Sequence, residues 1–175
     1  MAEWQKRVSE YKERLVAINR ITKVVKGGRR FGFAALVVVG NEKGSIGVGA
    51  GKSKQVPNAI KKATQDATRN LVKISLKDGR TLHHDVKGRN GSGKVIMRSA
   101  PAGTGIIAGG PIRAVCDVLG IQDIVAKSVG SANPHNVVKA SVNALLAQRS
   151  PKLLSAMRGK KISEIISKRE NTKWN

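Results

Sequence analysis

The spacing of apolar and polar positions changes several times along the chain, and each change marks an element. From Leu15, an imperfect alternation sets Val16, Ile18, Ile21, Val24 and Val25 among Asn19, Arg20, Thr22 and Lys23, the pattern of a half-exposed strand. Lys26-Gly27-Gly28-Arg29-Arg30 interrupts it as a loop. Phe31 to Gly40 is dense in β-branched and aromatic residues, Asn41-Glu42-Lys43-Gly44 suits a four-residue hairpin turn, and Ser45 to Lys52 returns. The return strand carries Gly44, Gly47, Gly49 and Gly51. Glycine at that density weakens a strand and points to close approach by another backbone or a ligand. Pro57 suits the first turn of a helix, and Ile60, Ala63, Ala67, Leu71 and Ile74 follow at helical spacing. Residues 15–75 therefore read β-β-β-α, with one helix on one sheet face.

Lys77-Asp78-Gly79-Arg80 is a polar break and the expected domain boundary. Beyond it, Thr81 to Lys87 and Lys94 to Arg98 read as strands around a flexible loop from Gly88 to Gly93. A glycine-rich loop from Ala100 leads to a short helix from Pro111 to Leu119, stopped by Gly120. Ile121 to Ser128 reads as a strand. Asn133 caps a helix from Pro134 to about Gln148, whose apolar face is Val137, Val138, Ala140, Val142, Leu145 and Leu146. The fold class is α+β in two small domains: an extension over residues 1–14, a β-β-β-α domain over 15–77, a β-β-α-β-α domain over 78–150, and a basic tail over 151–175. Ser150-Pro151 ends the second domain, and the tail has room for a short helix at Ile162–Ile166.

Charge changes this picture most. The 175 residues carry 33 Lys and Arg against 11 Asp and Glu, a formal net charge of +22. Residues 1–80 hold 18 basic and 6 acidic groups, and residues 81–175 hold 15 and 5, so the excess runs through the folded body. Self-repulsion of that size opposes compaction unless a polyanion supplies counter-charge, and nucleic acid does so with release of condensed counterions. Aromatics are scarce, Trp4, Tyr11, Phe31, Phe33 and Trp174 being the full set, so base stacking is not the main recognition mode. A single cysteine, Cys116, excludes an internal disulfide and suits a reducing cytosol. The start has no apolar run resembling a signal peptide, and the longest apolar stretch, Phe33 to Val39, is too short to span a bilayer. The reading is a cytoplasmic protein.

Three patterns invite a reading as chemical sites. Gly51-Lys52-Ser53 lacks the glycine five residues earlier that a P-loop needs, Ile46 standing there, and the helix starts too late. Gly103-Thr104-Gly105-Ile106-Ile107-Ala108, with Asp123 twenty residues on, fits a dinucleotide fingerprint on paper, but the helix begins only after Gly109-Gly110. His83-His84-Asp85 would point to opposite faces of a strand, so the two histidines cannot share one site. No catalytic residue, metal or cofactor follows. The concentrated signal is basic: residues 20–62 hold Arg20, Lys23, Lys26, Arg29, Arg30, Lys43, Lys52, Lys54, Lys61 and Lys62, with Glu42 the only acid. Gly27 and Gly28 let backbone amides approach phosphates, and Arg29 and Arg30 can fork onto phosphate oxygens. The rivals from other classes are a nucleotide-binding or RNA-acting enzyme using Gly103–Ala108 and a DNA-compacting architectural protein.

Val24-Val25-Lys26-Gly27-Gly28-Arg29-Arg30-Phe31-Gly32-Phe33 resembles the signature segment of the bacterial ribosomal protein S-five family. So do Gly47-Val48-Gly49-Ala50-Gly51-Lys52, Val56-Pro57-Asn58-Ala59-Ile60, Gly103-Thr104-Gly105-Ile106-Ile107 and Gly130-Ser131-Ala132-Asn133-Pro134-His135, in family order across residues 15–150. The resemblance implies a double-stranded-RNA-binding-like first domain without its leading helix. It also implies a second domain of the family's own type, with a left-handed β-α-β crossover. It further implies a place in the small ribosomal subunit near the neck, with rRNA, ribosomal proteins S-four and S-eight and the incoming mRNA as partners, and an influence on decoding accuracy. No membrane or small-molecule substrate is implied. Thr22, Lys26 and Gly28 match the family loop near the spectinomycin site. Gly103, Thr104, Gly105, Ile106, Ile107 and Arg113 fall in the segment that faces protein S-four in the family.

Overall fold

The computed structural model describes the backbone of residues 11–171 and the side chains of residues 11–167. Trp4, Trp174 and most of the expected extension lie outside the described residues. The first sheet is β1 (Lys12–Val25), β2 (Gly28–Gly40), β3 (Ser45–Ser53) and a two-residue β4 (Val72–Lys73), antiparallel in that order. The helical spacing expected to run on through Leu71 and Ile74 stops at Arg69, because Val72 and Lys73 pair with Ile46 and Ser45 as β4, and β1 begins three residues before Leu15. Helix α1 (Val56–Arg69) lies on one face of this sheet.

The glycines of β3 explain how α1 lies so close. A Cβ at Gly47, Gly49 or Gly51 would stand 2.1, 2.1 or 2.3 Å from the carbonyl oxygens of Ala67, Ala63 and Ala59. Two strand residues advance about 6.7 Å and four helical residues about 6.0 Å, so the two rows stay in step over three contacts. The close approach comes from a helix backbone, and Ala59, Ala63 and Ala67 are fully buried beneath Ala35, Val37 and Val39.

The second sheet is β5 (Val86–Asn90), β6 (Gly93–Ser99), β7 (Ile106–Ile107) and β8 (Ile124–Gly130), in the order β5-β6-β8-β7, with only β7–β8 parallel. Helices α2 (Gly110–Leu119) and α3 (Pro134–Ala147) pack on one face. Several expectations are corrected here. Gly88, Arg89, Asn90 and Gly93 belong to strands around a two-residue turn, because Gly88 lies under α3, where a Cβ would meet the Ala140 carbonyl at 2.1 Å. Residues 81–85 are irregular, since the N–H of His83 and the side chain of His84 bond to residues 148–149 rather than to a neighbouring strand. Strand β8 starts at Ile124, after Gln122 and Asp123 donate their N–H groups to the Arg80 carbonyl. The tail is also more ordered than expected. Helix α4 (Pro151–Arg158), capped by Ser150, precedes α5 (Ile162–Asn171), and Leu154 and Ile165 are their buried side chains.

The expected boundary is a tight turn closed by a Lys77–Thr81 bridge, yet the core runs across it. Leu36, Val38 and Ile46 of the first sheet form one buried cluster with Ile112, Val115, Leu119 and Leu145. The last carbonyls of α2, left without helical partners, accept bonds from the β2–β3 turn: Glu42 N–H to Val118 O at 3.0 Å and Gly44 N–H to Leu119 O at 3.2 Å. The Arg14–Asp117 pair, 3.7 Å apart with Arg14 exposed and Asp117 partly buried, also spans the junction. Such a pair contributes about 0–1 kcal/mol, whereas each buried Leu, Val or Ile contributes about 1.5–3, so apolar burial holds the units together.

Asp123 fastens the glycine-rich loop. Its buried carboxylate accepts from the Arg80 guanidinium and, at 2.9 Å, from Gly105 N–H, and its carbonyl accepts from Thr81 Oγ1 at 2.7 Å. These donors, the Arg80 guanidinium foremost, hold the carboxyl below its ordinary pKa.

Two outcomes follow. Gly49→Ala places a methyl inside the Ala63 backbone and costs about 3 kcal/mol or more in denaturant unfolding, while Ala50→Ser, on the exposed side of the same strand, costs under about 0.5. Asp123→Asn lowers Tm at pH 7. Because the folded-state pKa is depressed, the carboxylate's contribution is present at neutral pH and disappears as pH falls through that lowered value. The Tm gap between wild type and variant therefore narrows below about pH 4; a gap constant from pH 7 to pH 3 would contradict the assignment.

Candidate nucleic-acid interface

Strand β3 ends opposite Phe33, whereas β1 and β2 continue. Ile21–Val25 and Gly28–Gly32, five residues on each side, have only each other as partners and project about 17 Å beyond the sheet. Lys26 and Gly27 form the tip, and Gly28 follows at φ +119°, a conformation that favours glycine. Almost every side chain of this ribbon is exposed.

The register sorts the expected RNA-binding residues onto two faces. Arg20, Thr22 and Arg29 share the face of Phe31 and Phe33, which is the α1 side. Lys23 and Arg30 stand directly opposite one another on the other face, to which Lys52 also points through its pairing with Ala34. Lys54 follows the end of β3, while Lys61 and Lys62 are exposed on α1. Like charges placed opposite each other in a ribbon are destabilising. Among the described residues, none of these cations has an ion-pair partner. Of the two phenylalanines, only Phe33 packs against the α1 core; Phe31 is 50% exposed, with the Arg20 guanidinium 4.0 Å from its ring centroid. That contact aims the guanidinium along the ribbon. The sequence alone did not reveal this pairing, although Arg20 and Phe31 are diagonal neighbours once the register is known.

The second expected set divides differently. Thr104 Oγ1 bonds to the Pro101 carbonyl at 2.9 Å, and Gly105 carries the Asp123 contact. Ile106 packs on the core, while Ile107 is 54% exposed and Arg113 projects from the first turn of α2. Gly103 is exposed, with open space where a Cβ would be. The arrangement is a short parallel edge strand rather than a bare loop. With its carboxylate engaged by Arg80 and Gly105, Asp123 is not free to bind a ribose, which removes the dinucleotide reading. The P-loop reading fails on placement, because Lys52 lies within β3 and α1 begins four residues later.

His83 and His84 both line a cleft of about 990 Å³ beneath α4 and α5, contrary to the expectation of opposite faces, because this segment is not a strand. Both are tethers. His83 Nε2 lies 3.1 Å from Ser75 Oγ; His84 donates from Nδ1 to the Asp85 carbonyl at 2.8 Å and accepts Arg149 N–H at Nε2, 3.1 Å away. Among the described residues, no three His, Cys, Asp or Glu side chains converge as metal ligands. Cys116 is fully buried in α2, and desolvation pushes its thiol up to about 12, so it is an inert core residue. No described helix is long and apolar enough to cross a membrane.

Comparison with known proteins agrees with this geometry. Residues 11–75 match the family described as "Ribosomal protein S5, N-terminal domain", and residues 88–158 match "Ribosomal protein S5, C-terminal domain". Small ribosomal subunit protein uS5 of Pelagibacter ubique is 66% identical over 157 residues, covering 90% of this chain and 92% of the relative. The uS5 proteins of Ruegeria pomeroyi and Methylobacterium radiotolerans are 58% and 60% identical, covering 92% and 95% of this chain and 85% and 86% of the relatives. The basic two-sheet body and the projecting ribbon are thus those of a structural, non-enzymatic ribosomal component, and the chain belongs to the uS5 family of small-subunit ribosomal proteins.

Proposed function

We propose that this chain is anchored in the small subunit by rRNA gripped on both faces of the β1–β2 ribbon, helping to build the neck. The observation that carries this reading is the placement of Arg20, Lys23, Lys26, Arg29 and Arg30 on a projecting ribbon without an acidic partner among the described residues. Phosphates inserted along either face relieve the Lys23–Arg30 repulsion and release counterions. Thr22, Gly27 and Gly28 supply a hydroxyl and bare backbone at the tip. Lys52, Lys54, Lys61 and Lys62 extend the charge from the ribbon's root across α1. Duplex DNA carries the same phosphate charge, so comparison of rRNA and DNA binding at matched salt distinguishes this role from DNA compaction.

The edge formed by Gly103, Thr104, Gly105, Ile106, Ile107 and Arg113 serves as the contact with protein S-four. Protein S-eight and the mRNA entering the subunit are further neighbours, and the bacterial cytoplasm is the site of action. Exposed Ile107 and exposed Arg113, on the strand and helix that bound this edge, supply the apolar anchor and the arginine that recur at protein interfaces. A contact of this kind that opens during decoding would tie its strength to accuracy.

Arg29→Ala with Arg30→Ala should reduce the log–log salt slope of rRNA binding by about one to two units, one for each phosphate no longer neutralised. An unchanged slope would remove the ribbon from the interface. For the edge, Gly105→Arg adds bulk and charge at a residue with φ +74°, so it also strains the backbone. Ile107→Ser leaves the fold intact. Both variants should raise near-cognate readthrough at full ribosome occupancy, and normal accuracy from both would show that this edge does not govern decoding.

A further inference from the structure

We infer that the outer face of the β5–β6–β8 sheet is a second RNA-binding surface, separate from the ribbon, that takes the phosphodiester backbone. This inference rests on the reading of the chain as an RNA binder and adds a site on the unit for which only protein contacts were expected. Burial alternates along β5 and β6 and at the start of β8. Val86, Val95, Met97 and Ile124 point inward and are buried beneath α2 and α3. The alternate positions point away from both helices and remain open: Lys87, Arg89, Lys94, Arg98 and Lys127 are all exposed.

Register turns these residues into rows. Arg89 stands beside Lys94, and Lys94 beside Val129; Lys87 stands beside Ile96, and Ile96 beside Lys127. Neighbouring strands lie about 4.8 Å apart, and alternate residues on one strand about 6.7 Å apart, so five cations crowd a patch three strands wide. Arg89 and Lys94, directly opposite, repel each other. Counter-charge within the chain is minimal. Asp85 at the rim lies 3.9 Å from the Arg98 Nε with both side chains exposed, and the Arg89 Nε donates only to the Gly91 carbonyl at 3.1 Å. Lys87, Lys94 and Lys127 have no ion-pair partner among the described residues.

The chemistry favours RNA over a protein partner. Protein interfaces place apolar side chains at the centre and are depleted in lysine. Here lysines occupy all three strands, and Ile96, Val125 and Val129 stand singly between the five cations. A flat, open basic sheet without aromatic platforms suits a backbone and gives little base selectivity.

The test uses the full chain and measures the salt dependence of binding to two labelled probes, a 20-base-pair RNA duplex and a 20-nucleotide uridine strand. Three variants are compared: Lys87→Gln/Lys94→Gln/Lys127→Gln on the sheet face, Arg29→Ala/Arg30→Ala on the ribbon, and Lys152→Gln/Lys160→Gln/Lys161→Gln as a control that removes the same charge elsewhere. The sheet variant should lower the log–log slope by about two to three units beyond the control on at least one probe, and the preferred probe identifies duplex or single strand as the occupant. These positions are exposed, so the variant keeps the wild-type Tm. In wild type, the three lysines should also become protected from acylation when the probe is bound. If the sheet variant matches the control while the ribbon variant does not, this inference fails and the ribbon reading stands. If neither changes the slope, the RNA-binding reading itself falls. Lysine protection by a polyglutamate peptide but not by either RNA would reassign the face to an acidic protein and overturn the inference.

Discussion

The double burial of β2 is the constraint on which the rest of the molecule depends. Ala35, Val37 and Val39 face α1, while Leu36 and Val38 face the core shared with the second unit, and all five are at most 3% exposed. A strand packed on both faces cannot slip by one residue without exchanging two well-filled interfaces. Its register with β3 is therefore fixed, and that register brings Gly47, Gly49 and Gly51 beneath Ala67, Ala63 and Ala59. The β2–β3 turn is held as firmly. Asn41 Oδ1 accepts from Lys43 N–H and Ser45 N–H, both at 2.9 Å, so the turn's remaining donors point at the end of α2. Tight packing and the union of the two units thus share one origin.

The ribbon takes its mechanical character from this root. Along the β1–β2 pair, which has one bulge at Leu15–Ala17, the surroundings pass from full burial at Val39 to water at Arg30 within ten residues. The buried half fixes the direction of the exposed half. The ribbon's own side chains contribute little stability, and its opposed cations oppose pairing. An element held rigidly at one end and destabilised by charge at the other is suited to ordering against a polyanion.

Local signals in the sequence located most of these parts. The Lys26–Arg30 break is in place but shorter than its composition suggests, since Gly28, Arg29 and Arg30 pair with Val25, Val24 and Lys23 and already belong to β2. The Asn41–Gly44 turn, the Gly120 stop and the Asn133 cap each have a chemical reason that acts within a few residues, and each lies where its chemistry required. What the sequence did not show depended on partners far along the chain. Strand β7 is two residues long and exists because β8 lies beside it. The alternation of Leu82 and His84 imitates a strand, but side-chain bonds to Gln148 and Arg149 dictate the path. Ser150-Pro151 reads equally well as a terminator or as the cap and first residue of a helix, and the burial of Leu154 decides for the helix. The shared core was legible in principle. A strand apolar at every position from Ala34 to Val39 has no face for water, and one helix can cover only one side of it. The ribbon cations could be named from composition, but their division between two faces needed the register.

Distribution of charge then decides how such a basic body holds together. Of the four ion pairs among the described residues, Lys12–Glu42, Arg14–Asp117 and Arg80–Asp123 bind β1 or the loop at Arg80 to residues distant in the chain, and the fourth is the loose pair at Asp85. The scarce acids are thus placed where strands and units meet, and the surfaces that face outward are left cationic. Mutual repulsion falls chiefly on the ribbon and the open sheet face, where the loose Asp85–Arg98 pair is the one ion pair among the described residues, while apolar burial and the Asp123 bonds maintain the middle. Salt and polyanions relieve the same repulsion by different means: screening acts without regard to geometry, whereas a phosphate backbone must match the spacing of the cations. The body is therefore built to fold around its apolar centre and to be completed electrostatically by its surroundings.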